Sequence, residues 1–157
     1  MALVNRAERK HYLNTGTDTV PVWSPIGEGF TEFTESKHAV SYGRRYIHEM
    51  TRRTDVTGYA PMIDYEFEVY HGNAVIDRLR EITDREYCGS RAQVELLTVD
   101  LFNGTGGAYR AVRRRYSVVP DECGKGTEIL CYTGTMKAVG ERIPGTYVAA
   151  SGIFTAD

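Results

Sequence analysis

Residues 63–69, IDYEFEV, alternate strictly between apolar and acidic side chains. Successive side chains of a β-strand point to opposite faces of a sheet, so Asp64, Glu66 and Glu68 share one face and the apolar residues share the other. Such a strand buries one face in a core and leaves a row of carboxylates on the reverse. The pattern predicts a β-sheet with one packed face and one charged face.

Most of the remaining chain also has strand-like patterns separated by glycine and proline. The segment Asn-Gly-Thr-Gly-Gly at 103–107 joins two long apolar stretches and predicts a hairpin, because its residues tolerate positive φ. The predicted strands lie at 19–24, 91–102, 108–119, 127–140 and 146–156. Residues 1–18 are polar, with no sustained period, and predict an N-terminal arm. From about residue 35 to 61 the pattern loosens into a long loop, in which YIHEM at 46–50 is the only compact strand-like patch.

One amphipathic helix is predicted after the acidic strand, over residues 73–87. Asn73 is a suitable N-cap, Glu81 and Arg85 form an i,i+4 ion pair, and Cys88-Gly89 closes the segment. Its apolar stripe has helical spacing and consists of Val75, Ile76, Leu79 and Ile82. The predicted fold is mostly β: an antiparallel β-sandwich or barrel-like domain with one flanking α-helix. We expect a single domain over 19–157, preceded by the arm.

Composition narrows the class of protein without identifying a function. The chain has 157 residues, 41% hydrophobic and 25% charged, with a net charge of −2, which favours one globular domain and argues against bulk nucleic-acid binding. No apolar run approaches the ~18 residues that span a bilayer, and the first residues lack a secretory signal, so we expect a protein made in a cytoplasm without a membrane partner. Cys88, Cys123 and Cys131 form no CxxC pair and are expected to be reduced.

The row Asp64, Glu66 and Glu68 allows two interpretations from the residues alone. It could hold a hard cation or act as an acid/base group, or it could be a solvated face. Neighbours on one strand face lie about 6.5 to 7 Å apart, so a metal would need ligands from elsewhere, and no suitable motif supplies them. We therefore favour the charged-surface interpretation.

Four arginines between residues 110 and 115, flanked by Tyr109 and Tyr116, form the second charged feature. Basic residues with aromatic neighbours on a sheet are typical of single-strand nucleic-acid binders. In a strand, however, Arg110 and Arg114 point one way while Arg113 and Arg115 point the other. The alternatives are a nucleic-acid surface or ion pairs with carboxylates of neighbouring strands or chains.

No pattern in the sequence predicts catalysis. Residues 124–127, GKGT, lack the glycine spacing of a phosphate loop, the four histidines are scattered, and no nucleophile elbow is present. We expect no enzymatic activity, no catalytic residue, no metal and no cofactor.

Three stretches, in this order and spacing, carry a resemblance to a known family: WSPIGEGFTEFTES at 23–36, TGYAPMIDYEFEVYHGNAVIDRLREI at 57–82 and YTGTMKAVGERIPGTYVAASGIFTA at 132–156. The matching features are Trp23 followed by IGEG at 26–29, the step from strand through His71-Gly72 into the helix, and the closing strand at 145–154. Together they resemble the tail tube (major tail) proteins of long-tailed bacteriophages over about residues 19–155. Each motif alone is unspecific.

The resemblance implies a β-sandwich or barrel-like fold with one helix, and a structural virion protein. Members of this family assemble as hexameric rings that stack into a hollow tail tube through which the genome passes. Implied partners are further copies of the chain, the tape-measure protein, and tail terminator and tip proteins. DNA would pass without specific binding, and the protein would be located in the virion tail after assembly in the host cytoplasm.

Several residues acquire roles under this resemblance. The arm at 1–18 and the loop at about 35–61 would reach a neighbouring ring, with inter-ring contacts at Arg44, Arg45, Arg52 and Arg53. The acids Asp64, Glu66 and Glu68 would line the lumen, with Glu95 and Asp100 as weaker candidates. Inter-subunit ion pairs would involve Arg113, Arg114 and Arg115.

Two alternatives to a long-tailed phage tube remain open at the level of sequence. One is the inner-tube protein of a contractile tail, a tail-like bacteriocin or an injection system. The other, from a different class, is a small β-barrel nucleic-acid-binding module, which the arginine cluster alone supports.

Overall fold

The computed structural model describes residues 1–157 and shows a mostly antiparallel β-fold with one α-helix, as the sequence predicts. Nine strands form one curled, half-barrel sheet and two form a separate hairpin. The strands are β1 (Arg9–Asn14), β2 (Trp23–Ile26), β3 (Phe30–Ser36), β4 (Ala39–Arg44), β5 (Arg53–Tyr59), β6 (Met62–Glu68), β7 (Gln93–Thr105), β8 (Ala108–Cys123), β9 (Cys131–Ala138), β10 (Ile143–Val148) and β11 (Ile153–Ala156). No helix is both long enough and apolar enough to cross a membrane.

The main sheet is organised around the long strand β8. The strands of this sheet follow the order β2-β1-β7-β8-β9-β6-β3, so β8 lies at its centre. The second half of β8 pairs with β9, whereas its first half pairs with β10, which in turn pairs with β11. The predicted hairpin between β7 and β8 is confirmed, with Gly106 and Gly107 at positive φ in its turn.

The hydrophobic core lies between the concave face of the sheet and the helix α1 (Ala74–Asp84). Strand β6 contributes Ile63, Tyr65 and Phe67, all buried, and the ring of Phe67 stacks on those of Tyr65 and Tyr132. Gly134 makes this packing possible, because a Cβ at that position would lie 2.5 Å from the Tyr65 hydroxyl oxygen. The alternation of residues 63–69 is therefore confirmed as the division between core and surface.

The predicted helix is confirmed, with its cap and its apolar stripe. The side chain of Asn73 accepts hydrogen bonds from the backbone N–H groups of Val75 and Ile76. The helix ends at Asp84, three residues before the predicted end, and Glu81 pairs with Arg85 at 4.0 Å. Its four buried residues are the predicted ones: Val75, Ile76, Leu79 and Ile82.

A smaller apolar cluster covers part of the reverse face of the sheet, between β7, β8 and β10. Leu97, Val99, Ala111 and Tyr147 are buried there. Strand β7 is thus covered on both faces near its middle, and this explains why Leu96 and Leu97 are buried side by side.

Three local predictions from the sequence are wrong. Residues 9–14 of the predicted arm form β1, which lies between β2 and β7 and buries Leu13 completely. The long loop predicted at about 35–61 contains the paired strands β4 and β5, and the strand-like patch at 46–50 lies in the turn between them. The single strand predicted at 146–156 is instead the hairpin β10–β11.

The two ends of the curled sheet approach each other where β1 faces β3. The rings of His11 and Phe33 lie 4.6 Å apart, and Arg6 donates a hydrogen bond to the Phe33 carbonyl oxygen at 3.2 Å. The Nη2 atom of Arg6 also lies 3.2 Å from Nε2 of His11. Because a guanidinium group can only donate, Nε2 accepts this hydrogen bond and the ring proton is on Nδ1. Nδ1 lies 3.3 Å from the Thr98 hydroxyl oxygen. His11 is therefore held in its neutral form.

The environment of His11 makes the stability of the fold depend on pH. Burial, and next the charge of Arg6, lower the pKa of His11 from 6.5 to about 4, against a smaller opposing effect of Glu35. The unfolded chain binds more protons than the folded one between these two values, so this group lowers the free energy of unfolding as pH falls from 6.5 to about 4. The loss amounts to ~3 kcal/mol at most.

We predict that His11→Gln flattens the pH dependence of stability. Urea unfolding at pH 7 and pH 4.5 should show a larger stability loss in the wild type than in His11→Gln, because the variant has no imidazole to protonate. His48→Gln is the matched control, since His48 is exposed in the turn between β4 and β5, and it should keep the wild-type slope. Equal slopes for wild type and His11→Gln would contradict the assignment.

Candidate functional site

The hairpin β4–β5 projects from the main sheet and forms a two-stranded sheet of its own. Pairing runs from Ala39 opposite Tyr59 to Arg44 opposite Arg53, and residues 45–52 form the turn. Nearly all of its side chains are exposed, including large apolar ones: Val40, Tyr42, Tyr46, Ile47, Met50, Val56 and Tyr59. A two-stranded hairpin with an apolar surface is marginal alone in water, so this segment presents a surface suited to burial against a partner.

The tip of the hairpin is shaped by arginines and aromatic rings. Arg44 pairs with Asp55 at 2.6 Å and lies over the rings of Tyr42 and Tyr46. Arg53 pairs with Glu49 at 3.0 Å and also lies over the Tyr46 ring, 5.4 Å from its centre. Arg44 and Arg53 therefore fix the shape of the tip.

The other two arginines of the hairpin are the ones left without a carboxylate. Arg52 donates a hydrogen bond only to the Gly43 carbonyl oxygen, and Arg45 is exposed without an ion pair in the chain. Of the four arginines predicted to contact a neighbouring ring, Arg45 and Arg52 thus retain charges that are free for a partner.

The acids Asp64, Glu66 and Glu68 lie on the face of β6 opposite the core, each partly exposed. The Thr135 hydroxyl donates to Asp64 at 3.2 Å, and none of the three acids has an ion pair within the chain. Glu66 stands directly opposite Glu32 of β3, so two carboxylates face each other across neighbouring strands. Like charges in this position destabilise a sheet.

This row belongs to a larger polar surface formed by four adjacent strands, β3, β6, β9 and the second half of β8. The register places residues of these strands side by side on the face away from the core. We call this surface the acidic face, because it carries four carboxylates and one ammonium group. Its members are Glu32, Thr34, Ser36, Met62, Asp64, Glu66, Glu68, Cys131, Thr133, Thr135, Lys137, Ser117 and Val119.

Glu95 and Asp100, the weaker candidates, are both paired within the chain. Glu95 accepts from Arg115 at 2.7 Å, and Asp100 accepts two hydrogen bonds from Arg9 at 2.7 and 3.1 Å. Asp100 also lies on the core side of the sheet, opposite Arg9 and Arg110. Neither acid belongs to the acidic face.

The arginines of β8 divide between the two faces of the sheet, as the alternation predicts. Arg115 lies opposite Glu95 and also pairs with Asp18 at 3.0 Å, while Arg113 lies over the ring of Phe154. Arg114 lies opposite Leu96 on the core side, and it has no carboxylate partner. No single basic platform results, and Arg114 is the one member of the predicted trio Arg113–Arg115 that makes neither an ion pair nor a cation–π contact.

No group of three or more His, Cys, Asp or Glu side chains is close enough to hold a metal ion. A cleft of about 590 Å³ lies between the segment 5–11 and strand β3. This cleft lies where the two ends of the curled sheet approach each other.

No protein-family model matches this chain, and a comparison with curated proteins found no significant match.

We predict that Glu66→Gln stabilises the isolated chain. Removing one of two opposed carboxylates should raise the free energy of unfolding by about 0.5 kcal/mol at low salt, and the gain should shrink in 0.5 M NaCl. Glu68→Gln is the matched control, since Glu68 lies opposite Cys131 and should change stability less. A loss of stability in Glu66→Gln, measured by urea unfolding at low protein concentration, would show that the acid has a favourable contact in the monomer.

Proposed function

We propose that this chain is the tail tube subunit of a long-tailed bacteriophage, a structural protein that forms stacked hexameric rings around a channel for DNA. The observation that carries the proposal is the acidic face: four neighbouring strands, backed by the core and α1, present a surface on which four carboxylates without ion pairs outnumber the single ammonium group of Lys137. A sheet face of this kind is suited to line a water-filled channel. The sequence resemblance supports the same conclusion.

The dimensions of such a ring are compatible with DNA passage. Six copies contributing four strands each, at about 4.8 Å spacing, give a sheet of ~115 Å circumference and ~37 Å backbone diameter, and more if the strands tilt. After about 6 Å of side chain on each side, a channel of ~25 Å is left, which is enough for a duplex.

The charge of the acidic face fits a channel through which DNA moves. Lysines or arginines on the wall would displace counterions from the phosphates and hold the DNA. Carboxylates such as Asp64, Glu66 and Glu68 avoid this, so we assign them to the lumen. DNA then passes without specific binding, and the protein has no catalytic role.

The hairpin β4–β5 supplies a surface for contact between rings. Its exposed apolar residues gain free energy on burial, at about 25 cal/mol per Å² of apolar surface. Arg45 and Arg52 are available for ion pairs with the next ring, whereas Arg44 and Arg53 hold the tip in shape. Tape-measure, terminator and tip proteins are the further partners proposed for the finished tail.

A nucleic-acid-binding module is less well supported. The arginines of β8 lie on both faces of the sheet, and Arg110 and Arg115 are engaged with Asp157 and Glu95. A surface that tracks a nucleic-acid backbone needs its cations on one face.

The proposal predicts assembly of the purified protein. Sedimentation velocity and negative-stain microscopy over rising concentration should show rings or tubes with a central channel. A chain that stays monomeric at every concentration would contradict the proposal.

We predict that Ile47→Asp prevents stacking while the monomer stays folded. Ile47 is fully exposed at the hairpin tip, so a charge there costs the monomer little, whereas burying it against a neighbour is unfavourable. The concentration needed for tubes should rise more than tenfold in sedimentation assays. Ile47→Leu is the control and should assemble like the wild type; unchanged assembly of Ile47→Asp would remove the tip from the contact between rings.

A further inference from the structure

Arg114 lies where the core side of the sheet changes from apolar to polar. Along β7 and β8, Leu96 and Tyr116 belong to the core, and beyond them Thr98 and Asp100 line a cavity of about 120 Å³. Four cationic side chains also line this cavity, against the two acids Glu35 and Asp100: they are Arg9, Lys37, Arg114 and Arg142.

Both acids of the cavity are already paired. Asp100 accepts two hydrogen bonds from Arg9, and Glu35 pairs with Lys37. Arg114 and Arg142 have no carboxylate partner in the chain, and Nε of Arg114 is buried without a hydrogen-bond partner. Two guanidinium groups that share one cavity repel each other unless an anion lies between them.

The same cations can be reached from outside. A second cavity, of about 300 Å³, is also lined by Lys37, Arg114 and Arg142, and Tyr59 and Pro61 at the base of the hairpin complete its wall. Arg142 itself is exposed. An anionic group that approaches the hairpin base therefore meets three cations.

We infer that Lys37, Arg114 and Arg142 form a receptor for a carboxylate group of a second copy of this chain, and that the group belongs to the segment 121–128. This inference rests on the proposed function, because it assumes stacked copies. Planar guanidinium groups bind carboxylates through paired N–H donors, which suits Asp and Glu side chains. The segment 121–128 carries Asp121, Glu122 and Glu128, all exposed and without an ion pair, against the single Lys125.

The positions of receptor and segment favour a head-to-tail contact. The receptor lies near the end of β9, where the N–H group of Ala138 donates to the carbonyl oxygen of Pro61, just before β6. The acidic segment lies near the start of β9, where the N–H group of Val69, just after β6, donates to the carbonyl oxygen of Leu130. The two sites thus lie at opposite ends of β6 and β9, about 20 Å apart by strand length. Opposite charges at opposite ends give a heterologous contact that repeats in an open stack.

The first test is the concentration at which the full-length protein stacks. Arg142→Gln should raise this concentration about tenfold, and the double variant Glu122→Gln/Glu128→Gln should raise it by a similar factor. The variant with all three changes should need a concentration only slightly higher than either, because both sets of changes remove the same contact. Arg110→Gln is the matched control: it lies on the same strand and face but pairs with Asp157, and it should stay within about twofold of the wild type. Rings and tubes unaffected by Arg142→Gln and by the acid changes would overturn the inference and leave the proposed function standing.

The second test examines the receptor without assembly. Inorganic phosphate added to the monomeric chain should shift the NMR signal of the Arg114 Nε–H group in a saturable way, and Arg142→Gln should weaken the apparent affinity about tenfold. An absent or unsaturable shift would overturn the receptor. If the wild type never stacks, the proposed function fails, and so does the inference that a second copy supplies the carboxylate. Saturable phosphate binding in that case would support only a receptor for a free anion.

Discussion

The structure depends on the two-faced packing of β6. Ile63, Tyr65 and Phe67 enter the core together with the apolar stripe of α1, and the ring of Phe67 stacks on that of Tyr132. The strand therefore cannot rotate or shift by one residue without exposing them. The same constraint fixes Asp64, Glu66 and Glu68 on the reverse. Packing of the core thus determines where the carboxylates on the opposite face lie, including Glu66, which faces Glu32 on the neighbouring strand and repels it.

That arrangement lowers the stability of a single chain, and the apolar hairpin β4–β5 adds little to it because its side chains stay exposed. Both features have a use under the proposed function: the acidic face keeps the channel wall from holding DNA, and the apolar hairpin is buried against a neighbouring ring. The receptor formed by Lys37, Arg114 and Arg142 adds a third surface that a single chain leaves incomplete, because its two arginines have no carboxylate partner. Self-association explains the unsatisfied state of the hairpin and of the receptor in one step, because each needs only a further copy of the chain.

The sequence was sufficient for features whose signal is local. The alternation in β6, the cap at Asn73 and the stripe of α1 are periodic over short stretches, and the structure contains all three. Strand β1 was missed because only His11 and Leu13 of it are buried, among charged and polar neighbours. The strands of the hairpin were missed because both of their faces are exposed, so they show no alternation. The pairing of Arg115 with Glu95, and the lack of a partner for Arg114, follow from the register of β7 and β8, which no local pattern specifies.

Electron cryomicroscopy of the polymer formed by the purified chain tests the central claim most directly. The account predicts rings of six copies in which β3, β6, β9 and the second half of β8 form the channel wall, with Asp64, Glu66 and Glu68 facing the lumen. A map in which these three acids lie on the outer surface, or in which the copies enclose no channel, would contradict it.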